Sequence, residues 1–296
     1  VTFQEIIQGT MVEQVIRDQD FTMLTRHFHE SYEFYFLLEG ERYYFIDSET
    51  YYVKTGMIVL VGKNQVHKTS VAGEQSYHNR ILLQLDEREW DWYLKKSSLP
   101  SLEELVRLCE HVLVCQAEDF RRILELLEEI KQEFRLKREC FAAAVRMKII
   151  EILIVMYRNR RQVQDFSQER QGSGRIISCF RAETAQHKKV HEVAEYLQKC
   201  CETKESIEEI GHRFYVSKSY LSRIFKAVTG FTLNEYQTLA RIRRTQELLS
   251  ETGLSVTEIA DLAGFESITY FERVFKKYTG KRPLQYRKEC RLLGRG

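Results

Sequence analysis

With 296 residues, 43% of them hydrophobic and 30% charged, the chain has the make-up of a folded protein with room for two domains. Its longest apolar stretch, residues 149–157, includes Glu151 and falls far short of the ~20 residues a bilayer span needs, so no membrane protein is expected. Net charge is +2, but residues 1–100 hold 10 Lys+Arg against 15 Asp+Glu (−5), while residues 191–296 hold 18 against 14 (+4). An acidic front and a basic back point to separate tasks, with a polyanion as partner of the back.

Residues 1–5 carry no basic patch followed by an apolar core, so no secretory signal is expected. The seven cysteines lack CxxC spacing, and the vicinal pair Cys200-Cys201 is poorly suited to a bridge. Both features fit a reducing, cytoplasmic compartment.

The front of the chain reads as strands. Runs at 32–38, 42–46, 51–53 and 57–61 are rich in Tyr, Phe, Val and Ile, and are divided by Glu39-Gly40, Asp47-Ser48, Thr55-Gly56 and Gly62-Lys63-Asn64. Such spacing predicts an antiparallel sandwich or barrel over residues 1–100. After Pro100 the period becomes helical. Phe120, Ile123, Leu124, Leu127, Ile130 and Phe134 form one stripe, and Val145, Ile149, Ile152, Leu153 and Met156 another. A helical hairpin over 101–160 follows, expected to cover the barrel, pair with a second copy of the chain, or both. Residues 161–189 are polar and basic around Gln171-Gly172-Ser173-Gly174, which suits a linker.

Residues 190–296 repeat themselves. Tyr220-Leu221-Ser222-Arg223-Ile224-Phe225-Lys226 returns fifty positions later as Tyr270-Phe271-Glu272-Arg273-Val274-Phe275-Lys276, followed by Thr229-Gly230 and Thr279-Gly280. Upstream, Ile207, Ile210 and Gly211 match Val256, Ile259 and Ala260 at an offset of forty-nine, so the second copy has one extra residue in its turn. Each copy reads as helix, short turn, helix. The second helix starts at a cap, Ser217 in the first copy and Ser267 or Glu266 in the second, and a glycine suited to the left-handed position ends it.

On that second helix Ser219, Ser222, Arg223 and Lys226 share a face, with Lys218 beside them; Thr269, Glu272, Arg273 and Lys276 repeat it. Short hydroxyls let a helix sit deep in a groove, Arg can bond two acceptors on a guanine edge, Glu accepts from cytosine, and Lys supplies phosphate charge. A solvated charged face is the bland alternative for one such stripe. Two in register, in a basic segment, favour DNA. Residues 234–251 read as one stiff helix that sets the distance between the two units; reading successive major grooves on one side of a duplex requires about 34 Å.

With the closing Pro283-Leu284-Gln285-Tyr286-Arg287, the repeated pattern over residues 190–290 resembles the DNA-binding domain of the AraC/XylS family of bacterial transcription regulators. The resemblance implies that Ser219, Ser222, Arg223, Thr269, Glu272 and Arg273 read bases. It further implies a homodimer, promoter DNA and, for an activator, RNA polymerase as partners. Tyr215 stands where the second unit has Gly264, a strained choice if that turn needs a positive φ.

At the front, His27, His29, Glu33 and Gly40, then Gly56 and His67, resemble the paired motifs of cupins. Three imidazoles and a carboxylate suit a divalent metal such as Zn, Fe(II), Mn or Ni. The second motif departs from the pattern, with Gly62-Lys63-Asn64 in place of Pro-x-Gly and Val71 at the closing Asn position. The same histidines fit a small-molecule effector pocket, in which Tyr35, Tyr43, Phe45 and Tyr52 are candidate lining residues, or plain packing; strand register decides which side chains face inward.

The expected fold is therefore α+β: an N-terminal antiparallel cupin-like barrel with a helical hairpin, then an all-α double helix-turn-helix domain. The expected function is sequence-specific, effector-responsive DNA binding that regulates transcription, by activation as the family resemblance implies, without catalysis. A metal-dependent cupin enzyme tethered to DNA and a ligand-free DNA-bending protein are the rivals.

Overall fold

In the computed structural model, residues 2–17, 31–72, 77–160 and 184–293 are described. Eight strands come first: β1 (Phe3–Ile7), β2 (Thr10–Arg17), β3 (Tyr32–Glu39), β4 (Glu41–Ile46), β5 (Glu49–Lys54), β6 (Met57–Val61), β7 (His67–Val71) and β8 (His78–Leu85). Helices α1 (Glu87–Lys96) and α2 (Leu102–Cys109), strand β9 (Val112–Val114) and the hairpin α3 (Ala117–Leu136) and α4 (Phe141–Asn159) complete the front half. All strand pairs are antiparallel. They form a six-stranded sheet in the order β1-β2-β8-β3-β6-β9 and a three-stranded sheet in the order β5-β4-β7.

Side-chain alternation gives the larger sheet two buried faces. Phe34, Phe36, Ile58, Leu60, Ile81 and Leu83 point one way, into a core closed by Ile123, Leu127, Ile130, Ile149, Ile152 and Met156 of the helical hairpin. Tyr35, Leu37, Val59, Val61 and Leu82 point the other way, against Tyr44, Ile46, Tyr51 and Val53 of the smaller sheet. Ile152 and Leu153 are wholly engaged in the first of these cores. They hold α4 on its own sheet and are not available to a second chain. The outward side of α4 instead carries Ala143 and Met147, both exposed, and the half-buried Ile154; Met147 is 71% exposed.

The back half is helical: α5 (Ala185–Lys199), α6 (Ile207–Arg213), α7 (Lys218–Thr229), α8 (Leu233–Glu251), α9 (Val256–Leu262), α10 (Ile268–Thr279) and α11 (Pro283–Leu293). Helix α5 starts inside the segment expected to be linker, because the Thr184 side chain accepts the His187 N–H and caps it. The remainder of that segment, 161–183, lies outside the described residues. Two cores divide the region. Val190, Val193 and Leu197 of α5 pack with Ile210, Leu221, Phe225 and Tyr236. Ile242, Leu249, Ile259, Phe271, Phe275 and Tyr286 form the second.

Candidate nucleic-acid interface and sensor domain

Both helix-turn-helix units are built by the same local devices. Ser206 with Glu209, and Ser255 with Glu258, form reciprocal capping boxes at the start of α6 and α9. Ser217 and Ser267 accept the N–H of Tyr220 and Tyr270 and start the second helices. Gly230 at φ +81° and Gly280 at φ +74° end them. Thr229 and Thr279 donate back to the carbonyls of Phe225 and Phe275 and accept the N–H groups of Phe231 and Lys281, so each helix exit is pinned identically.

The turns differ where the sequence differs. Tyr215 adopts φ +57° and Gly264 φ +81°, so the left-handed conformation is common to both. At Gly264 an added Cβ would lie 2.6 Å from Glu202 Cα, which demands glycine twice over. At Tyr215 the side chain is 95% exposed and meets no such wall. A residue with a Cβ is tolerated there at the cost of local strain.

With Leu221, Ile224, Phe225 and Val228 buried on one side of α7, and Phe271, Val274 and Phe275 on one side of α10, the opposite faces turn to solvent. Lys218, Ser219, Arg223, Lys226, Thr269, Glu272, Arg273 and Lys276 are exposed, and Ser222 is half-buried. Each arginine lies over the tyrosine three residues before it: Arg223 Cζ is 5.5 Å from the Tyr220 ring centre, and Arg273 Cζ 5.4 Å from that of Tyr270. A cation–π contact of this kind narrows the rotamers of a long side chain before it meets a partner. Composition alone gave no hint of this pairing, although the Tyr-x-x-Arg spacing in both copies was its visible sign.

Inside the sensor sheets the polar groups are concentrated. Tyr44 Oη donates to Glu33 Oε1 at 2.7 Å, and Gln84 Nε2 donates to Oε2 at 3.2 Å. His67 Nε2 lies 3.6 Å from the same carboxylate, and its Nδ1 lies 2.9 Å from the Gln65 carbonyl. Burial works against the imidazolium, but the Glu33 carboxylate outweighs it and raises the His67 pKa above its ordinary value. Tyr35 stands beside Arg80, whose guanidinium is 5.6 Å from its ring and pairs with Glu13 at 2.8 Å. Burial pushes the Tyr35 phenol up to about 12.

The expected tetrad is thus brought together in part. Glu33 and His67 meet, while His27 and His29 lie outside the described residues. Among the described residues no group of three or more His, Cys, Asp and Glu is placed to hold a metal ion. Tyr43 is not a lining residue: parity on β4 sends Arg42, Tyr44 and Ile46 inward, and the Tyr43 ring packs 4.9 Å from His187 of α5. Phe45 and Tyr52 share that outward parity, and Phe45 packs on Tyr236 of α8. The interior polar residues that sequence reasoning missed are Tyr44, Gln84, Arg42 and Arg80; only strand register distinguishes them.

Two family models match the chain. Residues 14–145 match the AraC-like ligand binding domain, and residues 210–289 match a helix-turn-helix domain. The chain belongs to the AraC/XylS family. The Msm operon regulatory protein of Streptococcus mutans is 37% identical over 28% of this chain and 30% of its own length. The melibiose operon regulatory protein of Escherichia coli K12 is 37% identical over 28% of each chain, and the HTH-type transcriptional activator RhaR of Salmonella heidelberg 42% identical over 24% of this chain and 25% of its own. The similarity to these relatives spans less than a third of their length.

In this AraC/XylS chain the sensor and DNA-binding regions touch. Asp47, in the β4–β5 turn, receives Arg243 Nη2 at 2.9 and 3.0 Å, Gln65 Nε2 at 2.8 Å and the Val66 N–H at 3.1 Å. Its carbonyl accepts from the Tyr236 hydroxyl. Lys68 of β7 donates to the Ala227 carbonyl near the end of α7, and Gly230 packs directly on the Lys68 stem. His191 of α5 contacts the Ser48 carbonyl at 3.1 Å and Glu49 at 3.4 Å.

Proposed function

We propose that the chain is a one-component transcription regulator that binds promoter DNA through α7 and α10 and responds to a small molecule held by its N-terminal domain. The observation that carries this reading is the duplicated Tyr-x-x-Arg pair on two exposed helix faces, joined by the single helix α8. At 1.5 Å per residue the 19 residues of α8 span about 28 Å, of the order needed to set two helices into successive grooves. Ser222, Arg223, Glu272 and Arg273 then read base edges, while Lys218, Lys226 and Lys276 contact phosphates.

The family's ligand binding domain supports an effector, and the similarity to the transcriptional activator RhaR supports activation with RNA polymerase as partner. The interior around Glu33, Tyr35, Tyr44 and His67 is the barrel's candidate effector contact. Dimerisation is assigned to the outward face of α4 around Ala143, Met147 and Ile154, which lies opposite the residues that α4 buries in its own core. Such a protein works in the cytoplasm as a regulator, not as an enzyme. Selection from random duplexes followed by footprinting tests the reading. Enrichment of one motif, with two protected major grooves about 34 Å apart on one face, is expected; failure to enrich any sequence, or an affinity indifferent to salt, would overturn it.

A further inference from the structure

The two helix-turn-helix units have separate apolar cores. Along α8 one core reaches Leu239 and the other starts at Ile242, and Tyr278 of α10 packs against both. Arg241 falls between the two cores on α8, half-buried, and its contacts run to both units.

Toward the first unit the contacts are hydrogen bonds. Arg241 Nε donates to the Cys201 carbonyl at 2.7 Å, and Nη2 donates to the Thr203 carbonyl at 2.9 Å. Both carbonyls belong to the loop between α5 and α6. Gln237, one turn earlier on the same face of α8, donates Nε2 to the same Thr203 carbonyl at 2.9 Å. A guanidinium presents two N–H groups along one edge in a fixed plane, so a bond to each of two carbonyls fixes the loop's direction as well as its distance.

Toward the second unit the contacts are packing. Arg241 Cζ lies 5.9 Å from the Phe265 ring centre. Phe265 follows Gly264 in the turn between α9 and α10, and the Gly264 backbone rests on the same α5–α6 loop, where a Cβ would stand 2.6 Å from Glu202 Cα. The buried Phe265 ring is 5.0 Å from Phe271 and 6.2 Å from Tyr270, the ring over which Arg273 lies. A continuous series of contacts thus joins the loop ahead of α6 to the arginine of α10.

The length of α8 fixes how far apart the units stand, while their relative rotation depends on what holds each of them against it. Adding one base pair between two subsites on a duplex moves the second by about 3.4 Å and turns it by about 35°. A joint that fixes rotation therefore shows itself as intolerance of altered spacing.

We propose that Arg241 is a positioning residue: by tying the α5–α6 loop to the Phe265 turn it sets the rotation of α10 relative to α7, and so the subsite spacing that the chain accepts. This inference rests on the reading of α7 and α10 as DNA-binding helices. Arg241 acts through Phe265 and the loop, not through a base.

The test uses the full chain and a duplex selected by the parent, rebuilt with one base pair added or removed between the subsites of the two units. The parent is expected to bind the selected spacing at least about tenfold more tightly than either neighbour, the worth of one charge-assisted hydrogen bond. Arg241→Met keeps the stem and removes the fork. It is expected to bind all three spacings within about threefold of one another, with the base preference of each subsite unchanged and both grooves still protected. Arg241→Lys, which keeps the charge without the fork, is expected to fall between the two. An Arg241→Met profile as narrow as the parent's, or a loss of affinity equal at all three spacings, overturns the proposal. If Arg241→Met melts more than about 5 °C below the parent, Arg241→Lys decides in its place, and a profile like the parent's overturns the proposal. A parent that enriches no sequence overturns the DNA-binding reading itself, whereas one preferred spacing shared by parent and variants overturns the joint alone.

Discussion

The contact between Asp47 and Arg243 decides how firmly the first helix-turn-helix unit sits on the sensor domain, and its strength follows from its surroundings. Asp47 and Arg243 side chains are 18% and 27% exposed, between a surface pair worth about 0.2–1 kcal/mol and a buried charge-assisted bond worth about 1.5–3 kcal/mol. Discounted for that exposure, a coupling of about 1–1.5 kcal/mol is expected, close to a tenfold change in the docked population. Asp47→Ala alone should cost more than this, because it also strands the Gln65 amide and the Val66 N–H. Arg243→Met keeps the apolar stem and removes only the charge. The double-mutant cycle is read by hydrogen exchange of α8 amides in the full chain. The two substitutions should be non-additive, with α8 opening more readily in each single variant. Additivity within about 0.3 kcal/mol, or unchanged protection of α8, would refute the assignment.

Arg223→Ala and Arg273→Ala should each cost about 1–3 kcal/mol on a selected site and relax base preference there; equal losses on random DNA would mean that they contact phosphate alone. Met147→Lys combined with Ile154→Lys should give monomers in sedimentation, and an unchanged mass would move the dimer contact off α4. Ile152→Ala, by contrast, should destabilise the sensor domain by about 2–5 kcal/mol without altering the mass of the folded fraction, since its side chain is fully buried in the chain's own core. Tyr215→Gly relieves a left-handed tyrosine and should stabilise the first unit by about 1 kcal/mol in thermal melts. A lowered melting temperature would show that the exposed ring has a structural role.

Much of the helical half was legible because its determinants are local. Caps, terminal glycines and the three- and four-residue apolar spacing lie within one turn of the residues they organise, and duplication doubles the signal. Strand positions were equally plain, but their faces were not. On β4 both parities are buried, one by the sheet interior and the other by α5 and α8, so alternation alone cannot tell Tyr44 from Tyr43. The same blindness applies to α4, where Ile152 and Ile154 look alike until the sheet is in place. Asp47 and Arg243 are 196 residues apart, and an acidic turn residue in a chain with 45 basic side chains gives no clue to its partner.

The interdomain contacts are also unequal, and the inequality bears on mechanism. The first unit is engaged by Phe45 and Val66 within its apolar core, by Lys68 at the end of α7, and by His191 and Arg243 on α5 and α8. The second unit meets the sensor domain through Arg88 with Glu289, a half-exposed pair at 3.4 Å. A change in the sensor sheets therefore acts first on α7 and α8, and reaches α10 through the stiffness of α8. Under the proposed function, reciprocity requires that DNA held by α7 and α10 alter the sensor's affinity for its ligand by the factor by which that ligand alters the affinity for DNA. Ligand titrations with and without operator DNA should reveal that factor in the parent chain and find it reduced in Asp47→Ala; a factor unchanged by the substitution would show that the coupling runs through another contact.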